Sequence, residues 1–350
     1  MKYKSFIGTF FFTLILTVLG HVFFISLIDP QQTAPLSLSK SHENYHDNFL
    51  LKKVKLIERF PFETLILGSS TSEAFLVSEV NHHFKTQSFH ASIGGGSTVA
   101  RYTLFKKALK SNNSLKRVIY IADFFEMNKL SVPDLIAFNN ELKMEIDTQD
   151  FMPHMGHYLK YLFSHQMLES AFLVMKRKRK NYHSPLLVDG STGQSMILST
   201  VETLASFNSK ISSHNRIKLN EEILENYGTY SNNVLAGFEE LNIHAKNLVE
   251  SLVSESQKKS IEVIFILAPY HESFRKKLLS NPKLSKRYLE WITFFESLNS
   301  QSGVFVYNPT TSNIAIDPDS GVWRDGIHFN QFAATYFLKE IAENRRLNHE

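Results

Sequence analysis

The chain contains no cysteine. That excludes disulfides, thiolate catalysis and cysteine-ligated zinc, and leaves the redox compartment open. It also has little excess charge. The formal net value is +4, and Lys2 and Lys4 stand ahead of an apolar run. Without that pair the remainder carries about +2, too little for a nucleic-acid footprint. No lysine follows its run of glycines in the way a phosphate P-loop requires. Apolar residues make up 43% and charged residues 21%, which places the chain among globular proteins rather than disordered ones. Its 350 residues suffice for one large domain or two ordinary ones.

What the chain does have, first, is a long hydrophobic run. Phe6 to Ile28 spans 23 residues without a formal charge. At about 1.5 Å per residue, a helix of that length crosses a bilayer core of roughly 30 Å. Lys2 and Lys4 precede it and Asp29-Pro30 follows, so the amino terminus is expected in the cytoplasm and the rest of the chain outside. A cleaved signal peptide would have a shorter apolar region ending in a small-x-small site, and no good site is seen. His21, near the end of the span, reads as a snorkelling side chain. Asp29 to Asp47 is polar, with Pro30 and Pro35, and reads as a tether. Asn48 to Phe60 has helical spacing and basic residues, and reads as the first helix beyond the membrane.

The second feature is a set of buried-strand signatures ending in polar residues. Thr64-Leu65-Ile66-Leu67 runs into Gly68-Ser69-Ser70-Thr71-Ser72. Glycine ends the strand, and the following Glu73 to Val77 can start a helix. Ser70 then lies in a strand-to-helix turn, on the sheet edge where open α/β proteins bind ligands. It is a nucleophile there if a base reaches it, or one of several serines that cap the helix. Next come Ile93-Gly94-Gly95-Gly96-Ser97-Thr98 and a helix from Val99 to Leu109. Backbone N–H groups of such a loop can hold an anion or an oxyanion, or the loop is a tight turn with a hydroxyl cap. Arg117 to Ala122 is another buried strand, ending at Asp123. This rhythm signals βαβ units with right-handed crossovers.

Residues 131–235 carry no strong strand and read as a helical insertion. Asp150 to Met175 is helix-like. Lys176 to Lys180 is a basic run that suits anionic lipid head groups, an acidic glycan or a solvated helix end. Phe238 to Val253 reads as a crossover helix. A third strand, Ile261 to Ala268, ends in Pro269-Tyr270-His271, and a fourth is Gly303 to Pro309. Asp317 to Gly321 looks like half a calcium loop, without its remaining ligands. Near the end comes Asp325-Gly326-Ile327-His328, before a final helix from Gln331. A carboxylate three residues before a histidine in a turn can hold one ring nitrogen while the other faces outward. A surface histidine beside a capping Asp325 is the plain alternative.

Taken in order, Gly68-Ser69-Ser70, Ile93-Gly94-Gly95-Gly96 and Asp325-x-x-His328 resemble the SGNH (GDSL-type) hydrolase superfamily. The resemblance runs from Thr64 to the last helix, apart from the insertion. It is closest to membrane-anchored envelope proteins of that superfamily, among them polysaccharide O-acetyl-transfer and teichoic acid D-alanylation proteins. It implies a three-layer α/β/α flavodoxin-like fold over 61–345, following an anchor (1–28) and a tether with a first helix (29–60). It implies Ser70 as nucleophile, His328 as base, Asp325 as acid, and N–H groups of Ser70 and Gly95 as the oxyanion site. Ser69 stands where the family has aspartate. Ser69, Asp123 and His271 are candidate site-lining residues, His271 being a rival base. The family's third block ends in an asparagine that donates to the oxyanion. Here the strand end reads Ala122-Asp123-Phe124-Phe125-Glu126, with no asparagine before Asn128. An ionised Asp123 would repel an oxyanion.

The function this implies is a serine acyl-ester hydrolase or O-acyltransferase outside the cytoplasmic membrane, acting on an envelope polysaccharide or another acylated small substrate. It needs no cofactor and no metal. A transferase would depend on a multi-spanning partner to deliver acyl groups. The alternatives are a scaffold in surface-polysaccharide assembly that has lost efficient chemistry, and nucleotide binding at Gly94 to Gly96, which lacks the usual glycine spacing.

Overall fold

Leu65, Ile66 and Leu67 are completely buried, as a strand flanked on both sides must be. In the computed structural model, which describes residues 2–28, 49–129, 172, 189–191, 213–309, 323 and 325–347, they lie in β1 (Thr64–Leu67). The other described strands are β2 (Ser88–His90), β3 (Arg117–Ala122), β4 (Glu262–Leu267) and β5 (Val304–Tyr307). They form one five-stranded sheet in the order β2-β1-β3-β4-β5, and every pairing is parallel.

Side chains alternate between two cores. Leu65, Leu67, Val118, Tyr120, Val263 and Phe265 face one cluster. Helices α2 (Phe49–Arg59), α4 (Thr98–Ser111), α6 (Ile243–Lys258) and α8 (Pro282–Leu298) complete it with Val54, Leu104, Val249 and Trp291. Ile66, Ile119, Ile121, Ile264 and Ile266 face the other, against α3 (Val77–Phe84) and α9 (Gln331–Leu347). Each fully buried aliphatic or aromatic side chain contributes about 1.5–3 kcal/mol. From β1 the chain crosses to β2 on one side, and from β2 to β3 on the other. The strand order therefore reverses between β1 and β3, and the loops leaving those two strands diverge at that point.

The sequence reading gives four strands, and the structure adds β2. Ser88-Phe89-His90 is too short and too polar to stand out as a strand. It is held by pairing along β1 and, on its outer side, by His90 N–H donating to the Asp189 carbonyl at 2.8 Å. The helix expected from Phe238 begins instead at Ile243, because Asn242 caps it by accepting from His244 and Ala245 N–H at 3.0 and 3.4 Å. Helix α5 (Ser213–Asn232) belongs to the expected insertion, yet Ile223 and Tyr227 are buried in the first cluster. The Tyr227 ring packs edge-on against Phe274, which belongs to α7 (Glu272–Leu279). The tether, the helix expected at 150–175 (save residue 172), the basic run at 176–180 and the half calcium loop at 317–321 lie outside the described residues.

Helix α1 (Lys2–Ile28) contains Phe6–Phe24, which has mean hydropathy 2.0 and is not buried by the rest of the chain. Among the described residues it is the one helix long and apolar enough to cross a membrane.

Candidate active site

Gly68 carries the chain out of β1 where no side chain fits: a Cβ there would lie 2.5 Å from the Ser72 side chain. Ser69 is extended, and its hydroxyl accepts from Thr71 N–H at 3.3 Å. The Ser72 hydroxyl donates back to the Ser69 carbonyl at 2.6 Å. These local bonds wind Ser70–Ala74 into a 3-10 turn, and the α-helix starts only at Val77. The capping serine is therefore Ser69. Ser70 is left half-buried at the mouth of the turn.

His328 reaches Ser70 from the other end of the chain. The separation from Ser70 Oγ to His328 Nε2 is 2.8 Å, and from His328 Nδ1 to Asp325 Oδ2 it is 2.7 Å. An ionised carboxylate only accepts, so the neutral ring keeps its proton on Nδ1 and offers the Nε2 lone pair to the serine hydroxyl. The second oxygen, Asp325 Oδ1, accepts from the N–H groups of Ile327 and His328 at 2.9 and 2.7 Å. Burial pushes the Asp325 carboxyl up, but the bonds from His328 and the two N–H groups outweigh it and hold it below the ordinary range. The capping of α9 falls to Asn330, which accepts from Phe332 and Ala333 N–H at 3.1 and 3.3 Å. Asp325 is thus committed to the imidazole. Gly326 permits the tight loop between them, since a Cβ there would meet Phe274 at 2.7 Å.

The glycine loop is a β-turn closed by Gly96 N–H donating to the Ile93 carbonyl at 2.7 Å. Its third position needs positive φ, and Gly95 has φ +65°. Ile93 N–H donates to the Gly68 carbonyl at 3.0 Å, which ties the turn to the residue two before Ser70. Gly94 and Gly95 are exposed at this edge.

Asp123, expected as a site-lining residue whose ionised form would repel an oxyanion, is instead drawn into the core by its partners. Asp123 is completely buried. Its Oδ2 accepts from Arg101 Nη2 at 2.8 Å and its Oδ1 from the Thr71 hydroxyl at 2.7 Å. Its charge is balanced by a guanidinium, so the repulsion of an oxyanion falls away. Arg101 also pairs through Nη1 with Glu126 and donates to the Ile121 carbonyl at 2.8 Å. One guanidinium faces two carboxylates. Burial above all, with Asp123 nearby, raises the Glu126 carboxyl to about 8 against the pull of Arg101.

His271 is not placed as a base. It is 1% exposed, and its Nδ1 accepts from Ser273 N–H at 3.2 Å as the cap of α7. Its ring stands edge-on to Trp323, and its backbone N–H donates to the Gly326 carbonyl at 3.0 Å. It supports the Asp325–His328 loop from behind. Asn128, the first asparagine after β3, is turned away from this edge: it donates to the carbonyls of Val234 and Ala236 at 2.7 and 3.1 Å.

A second buried group, which no motif in the sequence marks, lies on the far side of the turn. His90 Nε2 donates to the Ser72 carbonyl at 3.0 Å, and its Nδ1 accepts from the Ser92 hydroxyl at 2.8 Å. Burial, then the neighbouring Lys53 charge, depresses the His90 ring to about 3. Lys53 is itself fully buried and donates to the carbonyls of His90 (3.0 Å) and Ser92. Burial lowers it to about 7, opposed by Glu73 and Asp189. Helical spacing held a clue to both cations. Arg101 shares a face with Leu104, Phe105 and Ala108, and Lys53 with Ile57, so each is a charge on an apolar stripe. No family model matches the chain, and no curated protein matches it.

Proposed function

We propose that this chain is a serine acyl-ester hydrolase or O-acyltransferase of the SGNH type, anchored by α1 with its catalytic domain outside the cytoplasm, and acting on an envelope polysaccharide. The observation that carries this reading is the relay from Ser70 to His328 to Asp325, at 2.8 and 2.7 Å, standing at the carboxyl edge of a parallel sheet. The strand order 2-1-3-4-5 is one also found in flavodoxin-like sheets and supports that expectation, and Ser70 follows the strand beside its reversal. Both features support the family resemblance.

In this reading His328 Nε2 takes the hydroxyl proton as Ser70 Oγ attacks the ester carbonyl. The oxyanion is held by N–H groups of the Ser70 turn and the Gly95 turn. His328 then returns the proton to the leaving alcohol, and an acyl-Ser70 remains. Water or a glycan hydroxyl, deprotonated by His328, then attacks the acyl carbon, the bond from that carbon to Ser70 Oγ breaks, and His328 returns the proton to Ser70 Oγ. Asp325 keeps the ring in the competent tautomer throughout. A transferase of this kind draws acyl groups from a multi-spanning membrane partner.

A second reading, a scaffold in polysaccharide assembly, draws on one observation: Asn128 is committed to two carbonyls, and the end of β3 carries Asp123, paired with Arg101, rather than an asparagine. Labelling with a serine-directed fluorophosphonate separates the two. Wild type is expected to label and Ser70→Ala not to. An unlabelled wild type that also fails to hydrolyse activated acetyl esters would favour the scaffold.

A further inference from the structure

Arg101 stands one turn inside the amino end of α4, where a positive charge is disfavoured by the helix dipole. It is also completely buried. A buried ion pair adds little net stability over an apolar side chain of the same size, so its presence calls for another explanation. Its contacts supply one. Nη1 meets the Ile121 carbonyl and Glu126, and Nη2 meets Asp123 Oδ2 at 2.8 Å. Nη2 also reaches the Gly96 carbonyl at 3.5 Å, the outer limit of a hydrogen bond. One rigid fork therefore touches the end of β3, the 3-10 turn that follows it and the glycine loop. The other carboxylate oxygen, Asp123 Oδ1, receives the hydroxyl of Thr71, the residue directly after Ser70.

We infer that Arg101 is a positioning residue, acting through Asp123 and Thr71 to fix the Ser70 turn relative to the glycine turn. This rests on the reading of Ser70 as nucleophile. The family's asparagine is absent from the β3 end, and the fork takes over the ordering of that edge without touching the substrate. The guanidinium orients the Asp123 carboxylate, the carboxylate holds the Thr71 hydroxyl, and the hydroxyl sets the direction from which Ser70 meets His328. A misplacement of about 1 Å at a reacting group lowers rates by about 100-fold, so a link of this kind is measurable.

The test compares Thr71→Val, Thr71→Ser and Arg101→Lys in the detergent-solubilised full chain. The readouts are the second-order rate of fluorophosphonate labelling at Ser70 and the thermal midpoint. Labelling is read well below every midpoint. Thr71→Val keeps the shape and loses the hydroxyl, and should label at least ~10-fold more slowly than wild type. Thr71→Ser keeps the hydroxyl and should stay within about threefold. Arg101→Lys keeps the charge and loses the fork, and should resemble Thr71→Val. A folded Arg101→Lys that labels like wild type overturns the positioning role; if it does not fold, the Thr71 pair tests the Asp123–Thr71 link through which Arg101 would act. Wild-type labelling in Thr71→Val, or equal slowing in Thr71→Ser, overturns the link while leaving Ser70 as nucleophile. Wild type that labels no faster than Ser70→Ala removes the nucleophile, and the positioning role with it.

Discussion

Replacing Glu126 by glutamine should change the pH dependence of folding in a direction set by the buried charges. Arg101 balances one negative charge, and Asp123, which also holds the Thr71 hydroxyl, takes it. Glu126 is left with Oε2 facing Arg101 and Tyr120. Its Oε1 is buried with no hydrogen-bond partner among the described residues. The carboxyl accordingly keeps its proton up to about pH 8, against 4.5 in an exposed chain. Below 4.5 both folded and unfolded forms are protonated, and through this group stability is at its highest and does not change with pH. Between 4.5 and 8 the unfolded chain releases the proton while the folded chain retains it, so stability falls as pH rises. At about 1.4 kcal/mol per pH unit, the loss accumulated by pH 7 is about 3 kcal/mol. Glutamine mimics the protonated acid and never titrates. Glu126→Gln should match wild type near pH 4 and exceed it by about 3 kcal/mol at pH 7. Thermal or urea unfolding of the solubilised protein at those two pH values reads the difference. A variant equal to wild type at pH 4 but less stable at pH 7 would refute the reasoning, because Glu126 would then be ionised and paired with Arg101.

Further outcomes follow from the same geometry. Asp325→Asn presents an amide N–H to His328 Nδ1, which moves the ring proton to Nε2 and removes the base. Its kcat on an activated acetyl ester should fall by up to ~10⁴-fold, no more than for Ser70→Ala, and an unchanged kcat would remove Asp325 from the relay. His271→Ala loses a helix cap worth about 1 kcal/mol but should keep fluorophosphonate labelling. Loss of labelling there, with retention in His328→Ala, would transfer the base to His271. If α1 is an uncleaved anchor, alkaline carbonate should leave the protein in the membrane pellet. A phosphatase fused after Glu350 should be active outside the cytoplasm, and an inactive fusion would reverse the orientation.

Much of the site's frame is legible in the sequence because the signals are local. Leu65 to Leu67 followed by Gly68 marks a buried strand and its end, and Asp325-x-x-His328 places two partners in one turn. Local spacing also places both pieces before helices. That Ser70 and His328 meet at hydrogen-bond distance depends on how the sheet orders its strands, which spacing alone does not dictate. β2 escapes because three residues with two polar side chains carry no period, and only pairing along β1 makes them a strand. The role of Asp123 is misread for a related reason. Its charge is judged from the strand end alone, whereas its partner Arg101 arrives from a helix on the first face of the sheet. Lys53 and His90 are 37 residues apart and meet only in the folded chain.

The relay itself is tested most directly by a mutant cycle on turnover of an activated acetyl ester by Ser70→Ala, His328→Ala and the double variant. Groups acting as a unit are strongly non-additive, so each single change should remove nearly all the turnover and the second should remove little more. Turnover by Ser70→Ala equal to that of wild type, or losses in the two single variants that simply multiply in the double, would contradict a Ser70–His328 unit.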